Sequence, residues 1–199
     1  MRKLRFLIPA VVLLAGGIAF FVERGPDPAD EAARLAGLMH IEPGATVADI
    51  GAGAGRLSIP LSRLHDGRVH LIATELGAEK LDALRASLDK ASVRATVVAS
   101  GAAYPNLPGA CCDAIVLRHV FHHIERPGEF TGGLAEGLRP AGRVAIVDFS
   151  PSPWRFWMPR HGVATDLVKR AMAAAGFELE AEAPWGVWDY CLVFRRLRA

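Results

Sequence analysis

Three glycines at alternate positions, Gly51, Gly53 and Gly55, follow a short apolar run that carries Asp49 near its end. Glycine lets the backbone take positive φ and lets a ligand lie against the main chain without meeting a Cβ. Residues 51–55, with Ala52 among them, therefore read as a cradle. Twenty residues after Gly55, where the next apolar run ends, stands Glu75, followed by Leu76. Nucleotide-binding α/β folds place a carboxylate there to accept both ribose hydroxyls; the plainer alternative is a residue of the N-cap region of the next helix. The loop spacing is G-x-G-x-G, not the G-x-G-x-x-G of a dinucleotide fingerprint, and Asp49 would repel a pyrophosphate and favour a cation. The two features together predict a pocket for a positively charged nucleoside.

His119, His122 and His123 form a second cluster, at i, i+3 and i+4. If the segment is helical they share one face. They fall at the carboxyl end of a predicted strand, where open α/β sheets bind ligands. Histidine titrates near neutral pH, so one of them is a candidate base for an acceptor hydroxyl; the alternative is a set of polar side chains at a pocket rim. Zinc binding through His119 and His123 would need a third ligand and a carboxylate, and no H-E-x-x-H is present.

The elements that must hold these residues alternate. Asp27 or Asp30 can cap a helix to about residue 40, and Pro43-Gly44 turns the chain into a strand over 46–50. A helix over 55–64, a strand over 68–74, a helix over 78–90 and a strand over 95–99 follow. Next come a strand over 113–117, a helix to about 137 that stops at Pro140 and Gly142, and a strand over 143–149. A helix over 166–175 and strands over 178–183 and 190–195 complete the chain. This alternation predicts an α/β fold with a largely parallel sheet covered on both faces.

The glycine loop with Asp49, and Glu75 after the second strand, resemble the class I S-adenosylmethionine-dependent methyltransferases. The piece C-D-A-I-V-L-R-H-V-F-H-H-I and the later L-R-P-A-G-R-V-A-I-V-D-F are similar to the small-molecule, quinone C-methylating type. The resemblance covers about residues 29–196. It implies a Rossmann-like, doubly wound, mostly parallel seven-stranded sheet, with the last strand inserted between the fifth and sixth as an antiparallel edge pair. It also implies S-adenosyl-L-methionine as cofactor, with Asp49 and Gly51, Ala52, Gly53 and Gly55 on the methionine part and Glu75 and Leu76 at the ribose. Arg118 and His119 would line the methyl side. The family usually has an acidic residue for the adenine amino group after strand three; here Ser100, Gly101, Ala102 and Ala103 stand, which either weakens adenine recognition or leaves the Ser100 hydroxyl and main chain to substitute. The N-P-P-Y signature of amino-methylating relatives is absent after strand four, which favours a carbon or oxygen acceptor. A nicotinamide oxidoreductase, a noncatalytic membrane-tethered binding module and a protein-modifying methyltransferase are the alternatives.

The chain of 199 residues carries a net charge of +2, and Arg2, Lys3, Arg5 and Arg24 against Glu23 concentrate +3 in its first 24 residues. The remainder is near −1, which gives no polyanion footprint and argues against nucleic acid. Cys111, Cys112 and Cys191 suit neither a disulfide framework nor a metal site. Residues 6–22 contain no charge and predict a single transmembrane helix, an uncleaved anchor over residues 1–24, followed by a Pro/Gly linker and the catalytic domain over 25–199. A cleaved signal with a weak site near Ala15 to Ala19 is the alternative. The basic N-terminus directs the domain across the membrane, whereas supply of the methyl donor favours the cytoplasmic side. Trp154, Phe156, Trp157 and Met158, with Arg155 and Arg160, read as a lid over the acceptor or a patch at the membrane interface. The expected partner is a small or lipid-like acceptor; the sequence is silent on oligomeric state.

Overall fold

The computed structural model describes residues 27–151 and 162–197. Seven strands form one sheet: β1 (Thr46–Ile50), β2 (His70–Glu75), β3 (Ala95–Ala99), β4 (Cys112–Arg118), β5 (Leu138–Phe149), β6 (Phe177–Trp185) and β7 (Asp189–Arg196). Their order is β3-β2-β1-β4-β5-β7-β6. The first five run parallel, and β7 pairs antiparallel with both β5 and β6. The expected edge pair is therefore present, with β7 inserted as anticipated. The helices are α1 (Pro28–Met39), α2 (Ser58–Ser62), α3 (Ala78–Lys90), α4 (Pro127–Gly137) and α5 (Thr165–Ala174).

Strand alternation assigns side chains to the two faces of the sheet. Val47, Ala114, Val116, Cys191 and Val193 pack toward Ala32, Leu35 and Met39 of α1 and Leu84 and Leu88 of α3. Ala48, Ile50, Ile115, Leu117, Leu192 and Phe194 pack toward Phe130 and Leu134 of α4 and Val168 and Met172 of α5. The same period of two puts Asp49 on the face of Val47 and Arg118 on the face of Val116. Both polar side chains thus emerge on the side that α1 covers. Asp27 caps α1 by accepting from the Ala29 amide at 2.8 Å.

Three expected elements differ. The helix over 55–64 shortens to α2, because residues 51–57 form the glycine turn. Beyond α2, His65 and Asp66 take left-handed φ of 52° and 60°, and an imidazole nitrogen of His65 lies 2.7 Å from the Ile41 carbonyl oxygen. That left-handed pair reverses the chain into β2. The fifth strand begins at Leu138, ahead of the expected 143, through an irregular register against β4 between Cys112 and Ala114. After β4 there is no immediate helix; a single 3-10 turn, Phe121–His123, precedes α4.

Among the described residues no helix is long and apolar enough to cross a membrane. The expected anchor over residues 1–24 lies outside the described residues, as do Trp154, Arg155, Phe156, Trp157, Met158 and Arg160.

Phe194, 1% exposed on the strand that joins the antiparallel pair to the parallel sheet, is a direct test of this core. Phe194→Ala is expected to cost about 3–5 kcal/mol, read as a lowered midpoint in thermal or urea unfolding.

Candidate active site at the carboxyl edge

The glycine turn sits where β1 ends. Gly51, Gly53 and Gly55 have φ of +66°, +56° and +78°. At Gly51 a Cβ would lie 2.6 Å from Cγ2 of Val120, so this position requires glycine both for conformation and for space. The turn is tied to the second strand: the Ala52 amide donates to the Thr74 carbonyl at 2.9 Å.

Glu75 is 7% exposed, and both its oxygens already serve the backbone. Oε2 accepts from the Gly53 amide at 2.7 Å and Oε1 from the Leu76 amide at 2.9 Å. Each carboxylate oxygen has a second lone pair for a ligand hydroxyl. The helix-cap alternative fails, since Gly77 is the N-cap of α3 and no side chain bonds there.

Asp49 is 2% exposed, beneath the loop. The Ser58 hydroxyl donates to its Oδ2 at 2.6 Å. Burial pushes its pKa from 3.8 up to about 6; the Ser58 bond and the Arg118 charge oppose that rise, and Glu75 and Glu31 add to it. Arg118 itself is held by Glu31 of α1, whose Oε1 accepts from Arg118 Nε at 2.7 Å and from Trp185 Nε1 at 2.9 Å. Glu31 is 2% exposed, and among the described residues its Oε2 has no hydrogen-bond partner. Buried Asp49 thus lies within electrostatic reach of two further carboxylates, Glu75 and Glu31, and of the Arg118 guanidinium. The excess negative charge suits a cationic ligand and disfavours a pyrophosphate.

A cavity of about 500 Å³ opens beside the loop, within the range of small-molecule sites. Its wall includes Gly51, Glu75, Leu76, Ser100, Gly101, Ala102, His119 and His123, together with Lys80 and Glu125. Asp49, Ala52, Gly53, Gly55, Arg118 and His122 are not on that wall; they shape or charge it from behind. Ser100 turns its hydroxyl to the Gly101 carbonyl at 3.2 Å, and the Gly101 amide bonds the Tyr104 carbonyl at 2.8 Å. A larger cavity of about 690 Å³ lies at the opposite, amino edge of β2 and β3, away from the glycine turn.

The three histidines do not share a helical face. His119 has φ of +56°, which takes it out of any helix and leaves only the 3-10 turn after it. Its ring stacks on Phe149 with centroids 3.8 Å apart. One nitrogen, Nδ1, lies 3.2 Å from Arg118 Nη1 and the other, Nε2, 3.0 Å from Asp189 Oδ2. A guanidinium only donates, so Nδ1 accepts and Nε2–H donates to Asp189. His122 turns its Nδ1 to Asp148 Oδ1 at 2.7 Å, and that side chain is 3% exposed. His119 and His123 share the cavity, whereas His122 faces the core. Among the described residues no group of three His, Cys, Asp or Glu side chains is placed to hold a metal.

A model of the methyltransferase domain family matches residues 48–146, the segment from within β1 to within β5. The chain carries an S-adenosylmethionine-dependent methyltransferase domain. Solved structures with the same fold include a SAM-dependent methyltransferase from Aquifex aeolicus, 20% identical, with a TM-score of 0.73 over 83% of this chain and 89% of that one. Another, from Methanosarcina mazei, is 11% identical, with a TM-score of 0.68 over 80% and 95% of the two chains. A 4+2 cyclase is also similar, at 11% identity and a TM-score of 0.72 over 84% of this chain and 80% of that one. At these identities the structural likeness speaks to fold alone, and one fold hosts several chemistries.

Glu31, Trp185, Asp148 and Asp189 were not singled out from the sequence of this methyltransferase. Glu31 carries only the signal of an acidic residue in a helix's first turn, Trp185 that of a core aromatic. Their partners lie 26 to 154 residues away in the chain.

Two outcomes follow from this geometry. Gly51→Ala should weaken S-adenosylmethionine binding at least about tenfold and cost about 1–3 kcal/mol of stability, measured by calorimetry and thermal unfolding. Asp49, with a folded pKa of about 6 against 3.8, contributes stability that is present below pH 3.8 and lost as pH rises through 6. Asp49→Asn removes that loss, on the order of 2–3 kcal/mol at neutral pH, so unfolding at pH 8 should show a variant no less stable than the wild type. Its cofactor affinity should nevertheless fall, and should lose the decline that the wild type shows as pH drops through 6.

Proposed function

We propose that this methyltransferase moves a methyl group from S-adenosylmethionine to a small or lipid-like acceptor, at carbon or oxygen, while tethered to a bilayer through residues 6–22. The observation that carries the cofactor's place is the glycine turn at the cavity, where Gly53, at φ +56°, has open space at the position of a Cβ, beside the buried carboxylates Glu75 and Asp49. When bound there, S-adenosylmethionine supplies a methyl already activated on a sulfonium. The chain's residues then have to bind, align and exclude water.

Asp49 and the amides of the turn would hold the methionine part, and Glu75 the ribose hydroxyls through the lone pairs that Gly53 and Leu76 leave open. Ser100, Gly101 and Ala102 would present main chain and a hydroxyl to the adenine, in place of an acidic residue. Arg118, held by Glu31, would place its charge toward the methionine end. A proton released by the acceptor would pass to His119 or His123, the two histidines on the cavity wall. Asp189, 3.0 Å from His119 Nε2, would stabilise the resulting imidazolium; protonation at Nδ1 requires the contact with Arg118 to open.

The small-acceptor reading is supported by the resemblance of residues 112–124 to the quinone C-methylating type, and by Leu117, Arg118, His119 and Val120 where amino-methylating relatives have N-P-P-Y. The tether is supported by residues 6–22, which carry no charge. The test is to incubate the full chain in phosphatidylcholine nanodiscs with methyl-tritiated S-adenosylmethionine and a bacterial lipid extract. Label in the organic phase is expected; label confined to precipitated protein would overturn the small-acceptor reading in favour of a protein acceptor. With an acceptor in hand, the histidine that takes the proton is the one whose alanine variant lowers kcat about 10²-fold or more and removes a limb of the pH profile. A variant that changes only KM marks a histidine that shapes the pocket.

A further inference from the structure

The chain enters the fold at the same edge of the sheet as the pocket. α1 begins at Pro28, one residue after its cap Asp27. One turn into the helix, Glu31 is fastened to Arg118, the last residue of β4, and to Trp185, the last residue of β6. Both lie at the carboxyl edge of the parallel strands. The other end of α1 leads through Ile41 to Thr46, at the amino edge.

The exposed apolar side chains are unevenly spread. Trp185 is buried at 1%, but the turn that follows it carries Val187 and Trp188, 73% and 41% exposed. This tip stands at the carboxyl edge, where the Ser150 amide donates to the Trp188 carbonyl at 2.8 Å. Leu76, on the cavity wall, and Leu167, in the first turn of α5, are each 50% exposed at the same edge. Leu197, past the end of β7, and Leu179, near the start of β6, lie toward the other edge.

Residues 6–22 carry no charge, and only Glu23, Arg24, Gly25 and Pro26 separate them from Asp27. At no more than ~3.6 Å per residue, that connection reaches less than ~20 Å. A bilayer holding residues 6–22 must therefore lie close to the edge at which α1 begins. We propose that the carboxyl edge of the sheet, tipped by Val187 and Trp188, rests against the lipid headgroup layer, so that the pocket opens toward the membrane surface. The proposal rests on the tether reading above. Tryptophan at the tip fits this place, since its ring is apolar and its N–H polar, the combination enriched at membrane interfaces. An acceptor dissolved in the bilayer would then reach the cavity without crossing bulk water.

The test uses the full chain with Cys111→Ser, carrying an environment-sensitive fluorophore either at Val187→Cys or, as reference at the far edge, at Leu197→Cys. Each protein is reconstituted into phosphatidylcholine vesicles with and without doxyl-labelled lipid. The label at 187 is expected to be quenched by the doxyl lipid and shielded several-fold from aqueous iodide relative to that at 197. Equal access of iodide to both positions, on protein that floats with the vesicles, would overturn the orientation and leave the tether standing. Shielding from iodide without doxyl quenching would mean that protein covers the tip, and would overturn it as well. Protein that does not float would sink both the tether and this proposal, while cofactor binding measured on the same sample reports separately on the enzyme reading.

Discussion

One carboxylate oxygen organises the functional edge of this protein. Glu31 Oε1 receives both the Arg118 guanidinium and the Trp185 indole, and so joins α1, the end of β4 and the β6–β7 turn. A buried pair of this kind is weak evidence of net stabilisation, but losing one member strands the other charge, typically at about 3–5 kcal/mol. The consequences spread outward. Arg118, held in place, fixes the tautomer of His119 through Nδ1, and its charge opposes the effect of burial on Asp49. The electrostatics beside the pocket thus depend on a contact that is not part of its wall.

The glycine turn is organised by a second carboxylate in a similar way. Glu75 accepts from Gly53 and from Leu76, which holds the left-handed turn in shape and fixes the carboxylate in one orientation. Preorganisation of this sort reduces the ordering cost that binding would otherwise incur. Glycine at 51 removes the side chain that would collide with Val120. The turn is therefore shaped by conformation on one side and by packing on the other.

The histidines show how the same residue type acquires different roles within five positions. Positive φ at His119 swings its ring onto Phe149 and toward Asp189, while the next turn drives His122 into contact with buried Asp148. His123 returns to the cavity. A carboxylate at each of two imidazoles, Asp189 at His119 and Asp148 at His122, sets which nitrogen carries the proton.

Local pattern determined much of this molecule. The bounds of β1, β3 and α3 were legible from short apolar runs between turn residues and, in α3, from Leu81, Leu84 and Leu88 at helical spacing, because those signals are local in sequence. The loop with Asp49 and Glu75 was legible because glycine spacing and a carboxylate at a strand end are short-range features. What tertiary structure decided is everything set by partners distant in sequence. Glu31 looks like any acid in a first helical turn until Trp185, 154 residues later, arrives beside it. The expected single face for His119, His122 and His123 gave way because a left-handed residue at the end of β4 breaks the period. The fifth strand starts early because its neighbour β4 offers hydrogen bonds from Cys112 onward. Periodicity reports burial; only the folded chain reports which buried charge meets which.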